Sequence, residues 1–418
     1  MTSNILVALR FLTANKRPMA MSLAGIVFGV GFFIFSQAQT SGFEQFFIKT
    51  VLGTNGAIRV QDRIRATFST MEMEEEKGNG GQGWVIENKE NLKYIEGIEH
   101  PLEVIAAIKQ FDSVTGVSEV LAGTVIVSNN FRSRSGTIYG VDIDRHAAVS
   151  DLENQIIFGD MESIRTKSNG ILIGSAFARW IQAKIGDFLL VTAKDVNRRF
   201  TVAGIFETGV SDIDRERIYA HLSEARSVLQ RPHGASFLQV NLKNPLRARE
   251  EAEHMMNTIY YHVASWQERE RSWLDAFMVL RVSTALTVST IILLSGLGMF
   301  NTLAMLVMEK TREIAILRSM GYTRKDISSI FLWQGGLVLL AGTVSGWALA
   351  VFITFGVSQL PFRVTGIFTT DSFVVHWSIW HYVLATLTAA VVVMAASFLP
   401  ARRAARLEPG EVIRGTAS

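Results

Sequence analysis

The sequence contains no cysteine, which excludes disulfides, thiol catalysis and cysteine-bound metal. It has no G-x-x-x-x-G-K-[ST] loop, the phosphate cradle of many ATPases, and no H-E-x-x-H zinc motif. The eight histidines are scattered. His254 and His262, eight apart on an expected helix, lack a third ligand and read as surface residues, while His376 and His381 read as structural. No Ser-His-Asp or Ser-Lys pattern has a supporting context. The largest absence is charge: Val282 to Met308 and Ile327 to Phe362 contain no Asp, Glu, Lys or Arg. Each run exceeds the ~20 residues that a helix needs to cross ~30 Å of hydrocarbon. Spans without ionisable centres argue against a proton- or ion-coupled carrier. Energy, if used, must then come from elsewhere, and a partner pushing on residues 309–326 is the available route.

Between these runs lies Met308 to Asp326, a dense charged stretch that must be a short link on one side of a membrane. Ile314, Leu317 and Met320 recur at helical spacing and predict one apolar face. Gly321 suits the position just past a helix C-terminus, and Thr323 with Asp326 predicts a capping box that restarts a helix. A polar loop would connect two spans more simply; an amphipathic helix implies that something docks there.

Two further apolar runs bring the spans to four. Met19 to Gln39 is longer than a signal core and ends in Ser36-Gln-Ala-Gln39, without a small-x-small cleavage site. Phe43, Phe46 and Phe47 continue its helical pattern. Gly25 and Gly29 form a small-xxx-small pair that permits close helix approach. Trp377, Trp380 and Tyr382 are placed as an interfacial belt opening the last span. Arg281 reads as a snorkelling residue at the second. The expected order is a cytoplasmic amphipathic lead at 1–18, a first span at 19–39, an extramembrane domain at 40–274 and a second span at 275–308. The charged link at 309–326, a third span at 327–360, a short outer loop at 361–376, a fourth span at 377–400 and a tail at 401–418 complete it. Basic residues at the N-terminus, in the link and after Pro400 fall on one side, which the positive-inside rule makes cytoplasmic; the large domain is then outside.

Within the domain, alternation predicts strands at 57–60, 114–128, 137–141, 170–174, 188–192, 200–206, 217–220 and 236–242. Helices are expected at 102–111, 175–183 and 223–229, from Pro245 to about Tyr260, and from Ala264 rising into the second span. Interleaved strands and helices make an α+β domain, in one or two lobes. Residues 62–101 read as a polar insertion. Its Gly78-Asn-Gly-Gly-Gln-Gly83 matches G-x-G-x-x-G but follows an acidic run rather than a buried strand, so it reads as a loop. The fold class is an integral membrane protein of four transmembrane helices, with a large α+β periplasmic domain between the first and second spans.

Thr302-Leu-Ala-Met-Leu-Val-Met-Glu-Lys-Thr-Arg-Glu-Ile-Ala-Ile-Leu-Arg-Ser-Met-Gly321 closely resembles the signature of ABC transporter permeases of the FtsX-like/MacB superfamily. Within it, the wording most resembles lipoprotein-releasing permeases of the LolC/LolE type. The resemblance covers nearly the whole chain, including Gly170 to Gly186, Val202 to Asp212, the Trp266 segment and the closing Pro400 to Pro409. It implies a non-enzymatic, multi-pass subunit of a bacterial inner membrane with both termini cytoplasmic, paired with a second permease as homo- or heterodimer. A separate cytoplasmic ABC ATPase dimer would hold ATP and Mg, and this chain would bind no cofactor and no nucleic acid. Glu309, Lys310, Arg312, Glu313, Ile314, Ile316, Leu317, Met320 and Gly321 would form the coupling helix seated in that ATPase. By mechanotransmission, ATPase closure would move the periplasmic domain and extract lipoprotein or other lipidated or amphipathic cargo. Membrane lipid would enter between the first two spans beside Phe32, Phe33, Phe35 and Phe43, and a periplasmic lipoprotein chaperone or adaptor would receive cargo. The 62–101 insertion and the lack of a recognisable chaperone-binding hook depart from that pattern. Two other readings stay open: a MacB-like tripartite efflux permease, and an FtsX-like regulator of a cell-wall hydrolase.

Overall fold

The computed structural model describes residues 2–14, 16–62, 97–129, 131–360, 364–365, 368–370 and 373–407. Most of the expected insertion, including Gly78–Gly83, and the end of the tail lie outside the described residues. The chain opens with α1 (Thr2–Ala14) and α2 (Lys16–Asn55), then β1 (Ile58–Gln61), α3 (Pro101–Ile108), β2 (Val114–Ser128), β3 (Ser133–Val141) and α4 (Ile143–Ala147). Next come β4 (Ile156–Gly159), α5 (Met161–Thr166), β5 (Gly170–Gly174), α6 (Ser175–Ile181), β6 (Phe188–Ala193), β7 (Val196–Phe206) and α7 (Ser211–Glu216). β8 (Arg217–His221), α8 (Leu222–Val228), β9 (Phe237–Leu242), α9 (Ala248–Thr258), β10 (His262–Ser265) and α10 (Trp266–Arg269) follow. The chain closes with α11 (Arg271–Glu309), α12 (Thr311–Ser319), α13 (Arg324–Ser358) and α14 (Ile379–Arg406). Two compact units result, one from 1–46, 273–364 and 370–418, the other from 47–272 and 365–369.

The second unit is built on a ten-stranded sheet. β2 pairs with β3 along Val120–Ser128, β3 runs parallel to β8, β8 antiparallel to β5, and β5 parallel to β7. β6 then joins β7 to the far end of β2, through Ile126 to Ser128, so these six strands close on themselves. A closed circuit leaves no free edge. Leu121, Val125, Ile138, Ile173, Phe177, Leu189, Phe200 and Ile218 fill its core. The first half of β2 pairs instead with β9, which carries β1 and then β10. One long strand thus serves two lobes.

Three observations revise the sequence reading here. The helix expected from Ala264 is preceded by strand β10 and interrupted at Glu270, where α10 ends before α11 begins. α9 ends at Thr258, so His254 lies on a helix and His262 on a strand rather than on one helical face. Short elements α4, β4, α5 and α7 were too brief to give a periodic signal. The domain also buries polar groups. His146 donates or accepts at Ser118 Oγ across 3.2 Å, and burial beside Arg217 pulls its imidazole down to about 3. Burial pushes the Asp214 carboxyl up to about 6, against hydrogen bonds from the backbone and hydroxyl of Thr208 and the Gly209 amide.

The first unit is helical. α2, α11, α13 and α14 each contain a stretch long and apolar enough to cross a membrane. Their close approaches depend on missing side chains. A Cβ at Gly25 would sit 2.7 Å from Ser295 Oγ, and one at Gly29 2.9 Å from Ile292. Ile26 and Val30, on the same helix, occupy the space that a Cβ at Gly342 or Gly346 of α13 would need. Gly296 likewise admits Val392, and Gly335 admits Ser397. Small residues bring helices close where lipid gives no hydrophobic drive to associate. Arg281 is not simply extended toward an interface: its guanidinium pairs with the Glu44 carboxylate, while Gln37 Nε2 donates to the Arg281 carbonyl at 3.2 Å. His381 is buried, with Nε2 3.2 Å from Ser41 Oγ.

Candidate functional site

The densely charged link folds as α12, set off at both ends by specific backbone chemistry. At its start, the single proton of the Thr311 hydroxyl is shared between the carbonyls of Val307 and Met308, 2.9 and 2.8 Å away, and Lys310 separates α11 from α12. The Lys310 ammonium pairs with Glu313 one turn on and lies 5.8 Å from the centre of the Phe11 ring. At its end, the Gly321 amide bonds to the Arg318 carbonyl and the Tyr322 amide to the Leu317 carbonyl, each at 3.2 Å. This is a Schellman closure, and it requires the positive φ of +100° that Gly321 adopts. Thr323 and Asp326 form the reciprocal capping box: Asp326 Oδ2 accepts the Thr323 amide at 3.0 Å, and Thr323 Oγ1 accepts the Asp326 amide at 3.3 Å.

The helix is gripped from one side. Ile314 and Ala315 are fully buried, and Ile314, with Leu317 half-buried, packs in the same apolar core as Phe11 of α1, Leu306 of α11, Ile327 of α13 and Ala404 of α14. Asn4 Nδ2 donates to Asp326 Oδ1 at 3.4 Å. Arg318, on the Ile314 face by its i,i+4 spacing, donates through Nη1 to the carbonyls of Ala405 and Leu407 at 3.3 and 2.7 Å. Those carbonyls close α14, whose last turn has no further helical donors. Through these contacts α12 is fixed to α1, α11, α13 and α14.

The other side is open. Ile316 and Met320, four apart, are 47% and 74% exposed, and Glu309, Arg312, Glu313 and Ser319 surround them. The expected apolar stripe therefore divides. Ile314 and Leu317 turn into the chain's own core, and Ile316 with Met320 make the outward apolar surface. Periodicity cannot tell an inner partner from an outer one, and here α1 with the end of α14 covers the Ile314 face. Arg318 and Ala315 were not singled out from sequence; their spacing from Ile314 and Thr311 was the available signal.

The four phenylalanines do not converge. The Phe32 and Phe35 rings are 5.9 Å apart and tilted, with Phe32 half-exposed, but Phe33 is buried in the helical core and Phe43 is only partly buried further along α2.

Residues 19–258 match the MacB-like periplasmic core domain family, and residues 285–409 match the FtsX-like permease C-terminal family. The chain is 24% identical to a lipoprotein-releasing system transmembrane protein LolC of Xylella fastidiosa, over 98% of each chain. It is 26% identical to a lipoprotein-releasing system transmembrane protein LolE of Haemophilus influenzae, over 76% of this chain and 81% of that one. A macrolide export ATP-binding/permease protein MacB of Vibrio parahaemolyticus is 33% identical over 33% of this chain and 19% of its own.

Proposed function

This chain belongs to the family of permeases with a MacB-like periplasmic core domain and an FtsX-like C-terminal segment, and from that premise we propose that it is the membrane subunit of an ATP-driven transporter that extracts lipoprotein or similar lipidated cargo from the bacterial inner membrane. The ATPase is a separate cytoplasmic partner, which holds ATP and Mg. The observation that carries the reading is the two-sided build of α12: Ile316 and Met320 are offered outward while Ile314, Leu317 and Arg318 tie the same helix to four others. A push on the outer face is delivered to α1, α11, α13 and α14 together, because a packed core does not deform independently at each contact. The chain itself supplies no reacting group in this scheme; it transmits displacement. The near full-length likeness to the LolC relative favours lipoprotein as cargo over a small-molecule substrate. A second permease copy or relative completes the membrane part, the domain at 47–272 faces the periplasm, and a periplasmic chaperone or adaptor takes the cargo.

The test is purification of the tagged chain in mild detergent, with mass spectrometry of every protein and lipid retained. An ATPase together with lipoproteins is expected. An ATPase with an adaptor and outer-membrane channel would replace this reading by tripartite efflux, and an ATPase with a cell-wall hydrolase by signalling. No ATPase from a complex shown to be intact would overturn all three.

A further inference from the structure

In the sheet domain, three arginines distant in sequence meet around one cavity of about 310 Å³. Arg59 comes from β1, Arg217 opens β8 and Arg269 ends α10. Asn55, Gln61, Tyr139, Phe237, Gln239 and Glu270 complete the wall. The Arg59 guanidinium stacks on Phe237, 3.4 Å from the ring centre. Arg217 lies 4.3 Å over Tyr139 and donates through Nη1 to Tyr219 Oη at 3.1 Å. These contacts hold the planes of two guanidinium groups without neutralising them.

The third is the informative one. Arg269 Nη1 and Nη2 are both buried and meet no acceptor among the described residues, and the same holds for Arg59 Nε. Three cations in this wall face one carboxylate, that of Glu270. Burial pulls the Arg269 guanidinium down to about 10 and Arg59 below its ordinary value, and it pushes Glu270 up. Buried charge without a counter-charge is strongly unfavourable, and donors without acceptors add to that penalty. Planar guanidinium forks match the oxygens of phosphate and carboxylate groups. An excess of two positive charges selects the doubly charged member of that pair.

We propose that the cavity walled by Arg59, Arg217 and Arg269 is a binding site for a phosphate group, carried either by free phosphate or by a phosphorylated lipid headgroup. The volume suits a group of that size and excludes a folded chain. Asn55 ends α2, and Arg269 with Glu270 directly precede α11, so a bound phosphate ties together the points where the chain enters and leaves this domain. The site is independent of the cargo and of the ATPase contact argued above.

The full-length chain, purified in phosphate-free detergent buffer, is melted while sodium phosphate is titrated at ionic strength held constant with sodium chloride. A parallel titration uses glycerol 3-phosphate, the phosphate-bearing end of a lipid headgroup. A saturable rise in Tm is expected, since a ligand of the native state stabilises by mass action. Tighter binding of phosphate assigns the free ion, and tighter binding of glycerol 3-phosphate assigns a headgroup. Arg269→Gln should weaken the apparent Kd by about tenfold or more, as the loss of charge-assisted hydrogen bonds predicts. Arg249→Gln, at an exposed position on α9, should titrate like wild type. No saturable rise with either compound in the wild-type chain overturns the proposal, whether or not the Arg269 variant folds. So does an undiminished response in both Arg269→Gln and Arg59→Gln.

Discussion

Ile26 and Val30 of α2 pack onto Gly342 and Gly346 of α13, and these helix–helix approaches are made where side-chain atoms are missing. The sheet domain uses missing side chains too, since a Cβ at Gly140 would sit 2.2 Å from that of Ala225, but it also buries ionisable groups: His146, Asp214 and Arg217 lie there with polar partners or aromatic rings around them. Each unit follows its solvent. Helices surrounded by hydrocarbon gain from close contact and fixed shape. A domain surrounded by water has a hydrophobic core to spare, in which buried polar groups are tolerated when they are hydrogen-bonded. Sensitivity should divide accordingly, with the helical unit responding to volume and the sheet domain to protonation.

The largest effect should be acid destabilisation of the sheet domain. The unfolded imidazole of His146 takes up a proton near 6.5, but the buried one does so only near 3. Its contribution is complete above pH 6.5 and declines as pH falls through that window, by about 1.4 kcal/mol per pH unit. In His146→Gln the melting temperature should therefore depend less steeply on pH between 6.5 and 3 than in wild type. An unchanged slope would remove His146 from the comparison. Next, Gly342→Leu drives new atoms against Ile26, and overpacking of this kind costs about 1–3 kcal/mol. Gly298→Leu, where no atom lies within 4 Å, should leave detergent stability unchanged. Equal losses in the two variants would mean that volume is not what the helical unit reads. The smallest effect belongs to Thr323→Ala, which removes the cap of α13 and should cost about 1 kcal/mol in stability.

The same contrast explains what could be read from the sequence. The uncharged runs around the charged link gave the long helices, because a span needs only length and apolarity. The long alternating strand at 114–128 declared itself for a similar reason. β10 did not: its four residues run straight into Trp266 and a charged helix, which dominated the local pattern. Gly321, Thr323 and Asp326 were legible because caps are local chemistry. The division of Ile314 and Leu317 from Ile316 and Met320 was not, since it depends on α1 and α14 arriving from the two ends of the chain. Arg59, Arg217 and Arg269 were invisible as a group, because only the strand order of the sheet brings them together.

We propose that the outward face of α12 meets the ATPase while its inner face belongs to the permease. A photoreactive amino acid placed singly at Ile316, Met320 and Ile314 of the full chain, irradiated in intact cells, tests both halves. Adducts with a cytoplasmic ATPase are expected from positions 316 and 320, and only adducts within the permease from 314. ATPase adducts from position 314, or none from 316 and 320 in a chain shown to be folded in the membrane, would contradict it.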